Sequence, residues 1–518
     1  MPGFPMLAPV TALTFLGITW AAAPAANPMT IISGMPAQKL ETILGANHNH
    51  SEWRLRGGGA ACVCGAAALF VAVSALADPP RYRIKVLPPS AGADADTTAT
   101  FAEAVVAGTL VAGTQREESQ SKAPDTRAIA WSPVDFGVLD AGVTSVFSNG
   151  TSGSLAVVSD VSESGWIVGW RRVTTGSSYI DSPYAWSLAT GSGVNPFGDD
   201  SLTGGITSIT NTPDRIAGVL APTDCTVPQY VGFAADLTSS GAVANQCTLT
   251  PDSDQRALPQ DLVNGEEDAV FVVGFTDSCS GCANSNGLSQ FKPRMWDGAL
   301  SNGPIAADLI VSTWDGGGMV FAVLSDHTAV GTKFGSSASR TARIWWPNDT
   351  ELNIGTIGAA GAGPGSVALE GVWSDCDGLV IVGDSARYMP PGDLFCAYPS
   401  EEAYAWFLDS SGSGDCYRIE GFVSPLSPWT IVSARGVNAK STIVGHGAYY
   451  DVGASISRTR GFIATRDYCP ADLNEDGAVG GADLGALLAA WGCSSPCAAY
   501  DADLNRDGSI GGADLGLL

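Results

Sequence analysis

Short β-branched runs closed by glycine recur through the middle of the chain: Leu110-Val-Ala-Gly113, Ile167-Val-Gly169, Ile216-Ala-Gly218, Val272-Val-Gly274, Ala329-Val-Gly331, Ile381-Val-Gly383 and Ile443-Val-Gly445. Successive glycines are 56, 49, 56, 57, 52 and 62 residues apart. Some 14 to 23 residues after each comes a second apolar run, usually centred on an aromatic. These are Ala130-Trp131, Ala185-Trp186, Phe233-Ala234, Met295-Trp296, Ile344-Trp345, Ala405-Trp406 and Phe462-Ile463. Such short apolar runs, bounded by turn residues, predict strands.

Within a unit the pattern predicts four short strands. An alternating run such as Ser154-Leu-Ala-Val-Val-Ser159 leads into a turn, Ser162-Glu-Ser-Gly165. The glycine-closed strand and the aromatic strand follow, then a run such as Phe136-Gly-Val-Leu139 or Asn353-Ile-Gly-Thr-Ile357. Seven units of four strands predict an all-β fold, a seven-bladed β-propeller. An open β-solenoid or two stacked β domains are the structural rivals. The last unit stops one strand short, after Gly461-Phe-Ile-Ala464, and the lone strand Arg81-Tyr-Arg-Ile-Lys-Val86 can supply its missing edge.

Composition narrows the class. A chain of 518 residues exceeds one ordinary core, so two or more domains are expected. Its 52 acidic and 26 basic residues give a net charge of −26, which argues against nucleic-acid binding because no basic field faces the phosphates. The apolar run Ala60 to Ala77 follows Arg54-Leu-Arg56 and ends Ala75-Leu-Ala77, the pattern of a secretory signal. Residues 1–77 are therefore read as an N-terminal extension and signal peptide, 78–468 as the β-repeat domain and 469–518 as a separate small module. The expected location is secreted or cell-surface, with no membrane span in the mature chain. Ten cysteines follow residue 77, an even number that fits disulfides in an exported chain. Cys225–Cys247 and Cys376–Cys396 are plausible pairs. Cys279 and Cys282 read as a structural clasp, with a redox or metal site as the rival.

The chemistry sits at the end of the chain. Asp472-Leu-Asn474-Glu-Asp476-Gly477 recurs 31 residues later as Asp503-Leu-Asn505-Arg-Asp507-Gly508, each followed by Gly-Gly-Ala-Asp-Leu-Gly. Oxygen donors then stand at loop positions 1, 3, 5 and 12, with glycine at 6 for the sharp turn, as Ca²⁺ loops require. The candidate ligands are Asp472, Asn474, Asp476, the carbonyl of Ala478, and Asp483; in the second loop they are Asp503, Asn505, Asp507, the carbonyl of Ser509, and Asp514. The expected cofactor is Ca²⁺. The rival reading is a solvated Asp/Asn/Gly turn. Position 9 is Gly480 and Gly511, so a ligand there is water or absent. Leu518 follows Asp514 by only four residues, which leaves the second helix almost missing and makes the first loop the better site.

The units Ser-Glu-Ser-Gly-Trp-Ile-Val-Gly169, Pro183-Tyr-Ala-Trp186 and Asn353-Ile-Gly-Thr-Ile357 resemble the HAF-type repeats of bacterial extracellular proteins, over about residues 81–465. Pro183-Tyr184 and Glu402-Ala-Tyr404 replace the name-giving His and Phe. That resemblance implies a secreted β-repeat domain without assigned chemistry. The tail from Cys469 to Leu518 resembles a type I dockerin, a paired calcium-loop module, as found in exported proteins of the planctomycete type. The resemblance implies a first helix bearing Leu484, Leu487, Leu488 and Trp491 on one face. Loop positions 10 and 11, where cohesin-binding dockerins often carry Ser-Thr, hold Gly481-Ala482 and Gly512-Ala513, which argues against a cohesin partner.

No catalytic motif stands out. His327 and His446 lack zinc-ligand spacing, though both can line one loop rim. Ser411-Gly-Ser-Gly-Asp415 is loop text, and no Gly-rich stretch carries the finish of a phosphate cradle. Asp160, Asp326 and Asp375 flank strand-like runs, but spacing alone brings no two acids together. Most Trp and Tyr read as inter-blade core. The functional expectation is a non-catalytic extracellular binding or scaffold protein, with a cell-surface or extracellular protein or glycan as partner. A polysaccharide-acting propeller hydrolase is the alternative, and a carboxylate pair in a central cleft would favour it.

Overall fold

In the computed structural model the chain forms two compact units, Met1–Ala77 and Asp78–Leu518. The described residues are the strands 13–15 and 18–20, and residues 79–518 other than 91–92, 94–97, 107–109, 118–125, 132–143, 148–155, 176–177, 222–230, 252–255, 278–290, 310–316, 335–339, 357–364, 376, 386–401, 468, 475–477 and 494. The signal-like run, the Cys279/Cys282 clasp, Cys376–Cys396, Phe136–Leu139 and Asp476 therefore lie outside them. In the first unit, Leu13–Phe15 pairs antiparallel with Ile18–Trp20.

The second unit contains a seven-bladed β-propeller: seven consecutive sheets, six of four strands and one of five. The first strands of the blades are Thr98–Val105, Ala156–Val161, Thr203–Ile209, Arg256–Asn264, Gly318–Val323, Ser366–Ser374 and Trp429–Val437. Each packs against the first strand of the next blade, and the seventh against the first, so these strands line the inside of the ring. The predicted glycine-closed runs form the second strands and the aromatic runs the third.

The anchor glycines have one steric cause. In every blade the first strand carries an irregularity opposite the glycine, for example between Val158 and Asp160 or between Ala368 and Glu370. The bulge drives a first-strand carbonyl toward the second strand. A Cβ on Gly113, Gly169, Gly218, Gly274, Gly331, Gly383 or Gly445 would lie 2.0–2.3 Å from that oxygen. Only glycine fits.

The tryptophans join blade to blade, as the inter-blade reading expects. Trp131, Trp296, Trp345 and Trp406 are fully buried. Trp296 Nε1 donates to the carbonyl of Thr250, in the fourth strand of the preceding blade, at 3.0 Å. Trp406 does the same to Ile354 at 2.7 Å, and Trp131 to Pro88 at 2.8 Å. The run Asn353–Ile357, read as one strand, is divided. Glu351–Asn353 is the outer strand, and Ile354–Thr356 tightens into a 3₁₀ turn that presents this acceptor.

The ring closes as the sequence suggests. Tyr82–Leu87 pairs antiparallel with Ile456–Arg466 and becomes the outer strand of the seventh blade. Beyond it come helix α1, Gly481–Ala489, and a single turn, α2, Gly512–Leu515. A Cys493–Cys497 disulfide, unforeseen in the sequence, closes the link between the two loops. Cys247 is a free, buried thiol, so the expected Cys225–Cys247 pair is not formed; the side chain fills apolar space beside Trp296 and Leu249 instead. No helix among the described residues is long and apolar enough to cross a membrane.

Candidate functional site

The two acidic loops share one backbone frame. In the first, Asp483 Oδ1 accepts from the Asn474 amide at 3.1 Å and Oδ2 from the Gly480 amide at 2.7 Å. In the second, Asp514 Oδ1 accepts from Asn505 at 3.1 Å and Oδ2 from Gly511 at 2.8 Å. Position 12 thus ties positions 3 and 9 together and, from the third residue of its own helix, caps that helix's start. The Gly480 amide holds Asp483 below the usual carboxylate range. Asp472, Asp483, Asp503 and Asp514, the carboxylates of positions 1 and 12, are all buried.

This frame and its hard oxygen donors fit a divalent cation in kind. The second loop's acids are nevertheless not gathered on one point. Asp507 turns onto the amide and hydroxyl of Ser509 and onto the Asn505 side chain, which hold its pKa down. Among the described residues no three Asp, Glu, His or Cys side chains stand close enough to share an ion. Ala478 and Ser509 are exposed in their loops.

The module does not hang free. Ser424 Oγ donates to Asp503 Oδ2 at 2.5 Å, and the Cys497 amide donates to the Leu426 carbonyl at 2.8 Å. Leu487, Ala490, Tyr500, Leu504 and Ile510 join the same apolar cluster as Tyr82, Phe422 and Trp429 of the propeller. A groove of about 780 Å³ remains beside this junction, with Arg81, Arg418, Glu420, Trp429 and Arg506 among its walls. The predicted single apolar face of α1 is divided: Leu487 is buried against the propeller, while Leu484, Leu488 and Trp491 are 37 %, 52 % and 48 % exposed.

A second candidate lies inside the ring, and the sequence revealed only Asp160 of it. Ser208 Oγ is 2.9 Å from Asp160 Oδ2 and 2.5 Å from Asp261 Oδ1. A serine has one hydrogen to donate, so a carboxyl must itself carry a proton for both contacts to be hydrogen bonds. Burial, and then Asp261, push Asp160 up to about 7. Burial and the charges of Asp261 and Asp160 push Glu370 well above the usual range, and burial raises Asp261. Amides of neighbouring blades also bind these acids, Ile209 to Asp160 at 2.9 Å and Val323 to Asp261 at 2.8 Å. The cluster therefore staples blades together while holding protons at neutral pH. An acid enclosed by apolar residues in a strand-like run, as in Val-Val-Ser-Asp160-Val or Val-Ala-Leu-Glu370-Gly-Val, is the signal that could have revealed it.

In the blade that carries Glu370, Asp384 accepts from Ser433 Oγ of the next blade at 2.9 Å and the Ala434 amide at 3.1 Å, with Arg435 at 4.0 Å. Burial raises Glu103 against the pull of Arg435. His446 stands edge-on to Phe101, and burial, then Arg435, push it down to about 3. The expectation that His327 and His446 share a rim fails. His327 occupies a left-handed turn position, stacked on Phe271 at 4.3 Å, whereas His446 follows the anchor glycine inside a strand. Asp326 accepts from the Trp373 indole at 2.8 Å, and the Asp375 amide donates to the Ala439 carbonyl; neither joins the acid cluster.

No family model matches the chain, and no curated protein matches it. Similar solved structures include an oligogalacturonate lyase from Vibrio parahaemolyticus, with 9 % identity, a TM-score of 0.38 and coverage of 74 % of this chain and 97 % of that one. A prolyl endopeptidase is similar at 9 % identity and TM-score 0.42, covering 72 % of this chain and 51 % of that one. The α-L-arabinofuranosidase from Podospora anserina, solved with cellotriose, has 10 % identity and TM-score 0.27, covering 76 % and 99 %. At this level of similarity nothing of their activities transfers. What stands is the fold, a seven-bladed β-propeller whose last blade is completed by the chain's own earlier strand.

Proposed function

We propose that this chain is a secreted or cell-surface binding or scaffold protein whose C-terminal module is stabilised by Ca²⁺ and serves in attachment. The observation that carries the reading is the division of the module's apolar residues. Leu487, Tyr500 and Leu504 fasten it to the propeller, while Leu484, Leu488, Trp491, Leu515 and Leu517 remain exposed. Apolar residues left on a surface in such number are what an extracellular protein partner covers. The signal-like run and the Cys493–Cys497 disulfide support export. Asp472, Asn474, Asp476, Asp483 and the Ala478 carbonyl would hold the cation in the first loop, with Asp503, Asn505, Asp507, Asp514 and the Ser509 carbonyl as the second set. The ion would supply charge balance for buried carboxylates, without which they repel and the module loosens. Calorimetric titration of the full chain tests this. Saturable uptake at about 10⁻³ M or tighter is expected, reduced in Asp472→Ala and Asp503→Ala; no uptake removes the calcium assignment.

One observation favours the second reading, a propeller hydrolase acting on polysaccharide. Asp160 and Asp261 reach the same hydroxyl inside the ring, and a protonated acid beside a carboxylate is the pairing glycoside hydrolysis uses. Release of reducing ends from a polysaccharide panel, abolished in Asp261→Asn, would establish it.

A further inference from the structure

We propose that the acidic-loop module, besides its part in attachment, clamps this chain's own closing strand, and that cation binding in the loops latches the propeller shut. The inference rests on the calcium reading above and gives it a purpose within the molecule. The closing strand Tyr82–Leu87 is not joined to its blade by a hairpin; its one strand partner is Ile456–Arg466. Strands held in this way open more readily than those tied by a short turn, because their separation releases a long loop.

Both loops grip this strand and the residues leading into it. Arg83 lies in the strand itself. Its Nε reaches Asp467 at 3.1 Å, and its Nη2 donates to the carbonyl of Asp472, position 1 of the first loop. Arg81 donates to the carbonyl of Leu504, position 2 of the second loop. Arg506, position 4 of that loop, reaches back to the carbonyls of Pro79 at 3.3 Å and Pro80 at 3.4 Å, and also to Gly421 at 3.2 Å. Tyr500, just before the second loop, donates its hydroxyl to the carbonyl of Ile84 at 3.0 Å. Its ring lies in the cluster that contains Tyr82 and Ile84.

Two of the acceptors, the carbonyls of Asp472 and Leu504, and one of the donors, Arg506, belong to the loops themselves. Their positions depend on the loop conformation, so whatever orders the loops orders the grip. Asp503 strengthens the link from the other side by accepting from Ser424 of the propeller. A cation in each loop would hold Asp472 in the first and Leu504 and Arg506 in the second. Removing both would loosen both grips at once.

Hydrogen exchange of the full chain, followed at residues 82–87 with calcium or with a chelator and paired with calorimetric calcium titration, decides the matter. The expected result is uptake of calcium together with exchange at least about tenfold slower across Tyr82–Leu87. Arg83→Ala, or the gentler Tyr500→Phe, should keep the uptake and lose most of the slowing. Uptake that orders residues 472–514 while leaving exchange at 82–87 unchanged overturns the latch and leaves the calcium reading standing. Absence of uptake overturns both. An undiminished response in both variants shows that the named contacts do not transmit it and also overturns the latch.

Discussion

Gly169 faces the carbonyl oxygen of Val157 at 2.0 Å from where a methyl carbon would stand, and its six counterparts meet first-strand carbonyls in the same way. Gly169→Ala must therefore push strands apart, at a cost of about 1–3 kcal/mol. Gly485, in the middle of α1 with nothing near its would-be Cβ, is the opposite case. Gly485→Ala should stabilise the helix by about 0.5–1 kcal/mol. Urea unfolding of both variants checks the contrast, which fails if they shift the midpoint in the same direction. Titration is also decided at this scale. Asp160 and Glu370 bind protons more tightly folded than unfolded, so stability falls as pH rises from about 4 to about 7, where Asp160 ionises. His446 acts in the opposite sense. It is neutral when folded, so stability falls as pH drops from about 6.5 toward about 3. Melting temperatures measured across this range should show the alkaline loss, and Glu370→Gln, which removes one of the crowded charges, should flatten it. A variant curve parallel to wild type would refute the cluster's part.

Among the elements, the third strands carry the inter-blade bond. Trp296→Phe keeps most of the buried ring but deprives the Thr250 carbonyl of its donor. The expected loss is about 1–3 kcal/mol, read as a lowered midpoint in denaturant; no change would mean that the indole bond contributes nothing. The elements were largely legible in the sequence because each carries a side-chain signature: glycine against a bulge, tryptophan between blades, and an alternating strand at Arg81–Val86 where the last unit lacked one. Bulges have no such signature. They are two-strand irregularities that appear only when register is known, so the acids beside them, Asp261 and Glu370, were missed along with Ser208. The face of α1 was misjudged for a related reason. Periodicity shows that Leu484, Leu487, Leu488 and Trp491 share a side, but how much of that side the propeller covers depends on docking geometry. Cysteine pairing failed likewise: Cys247 and Cys493 differ in their neighbours in space, which spacing along the chain does not reveal.

For the whole molecule, the acidic loops and the ring form one mechanical system, because the residues just before and within Tyr82–Leu87 are held by the module at 469–518. If calcium binds the folded chain alone, raising it to 100 times its dissociation constant adds about 2.7 kcal/mol to stability. A chelator should therefore lower the melting temperature of the propeller together with that of the tail, in one transition. Two separate transitions, with only the smaller responding, would show that the two parts melt independently.

The order of strands along the chain also constrains how the ring is made. Tyr82–Leu87 leaves the ribosome before any blade exists, and its partner Ile456–Arg466 is among the last propeller segments to be synthesised. Throughout translation the nascent strand carries an unsatisfied edge, the kind of surface that recruits wrong partners. A chain translocated unfolded would meet its partner only on the far side, with all seven blades available at once. Truncation before residue 456 would leave an open arc that no later event could seal.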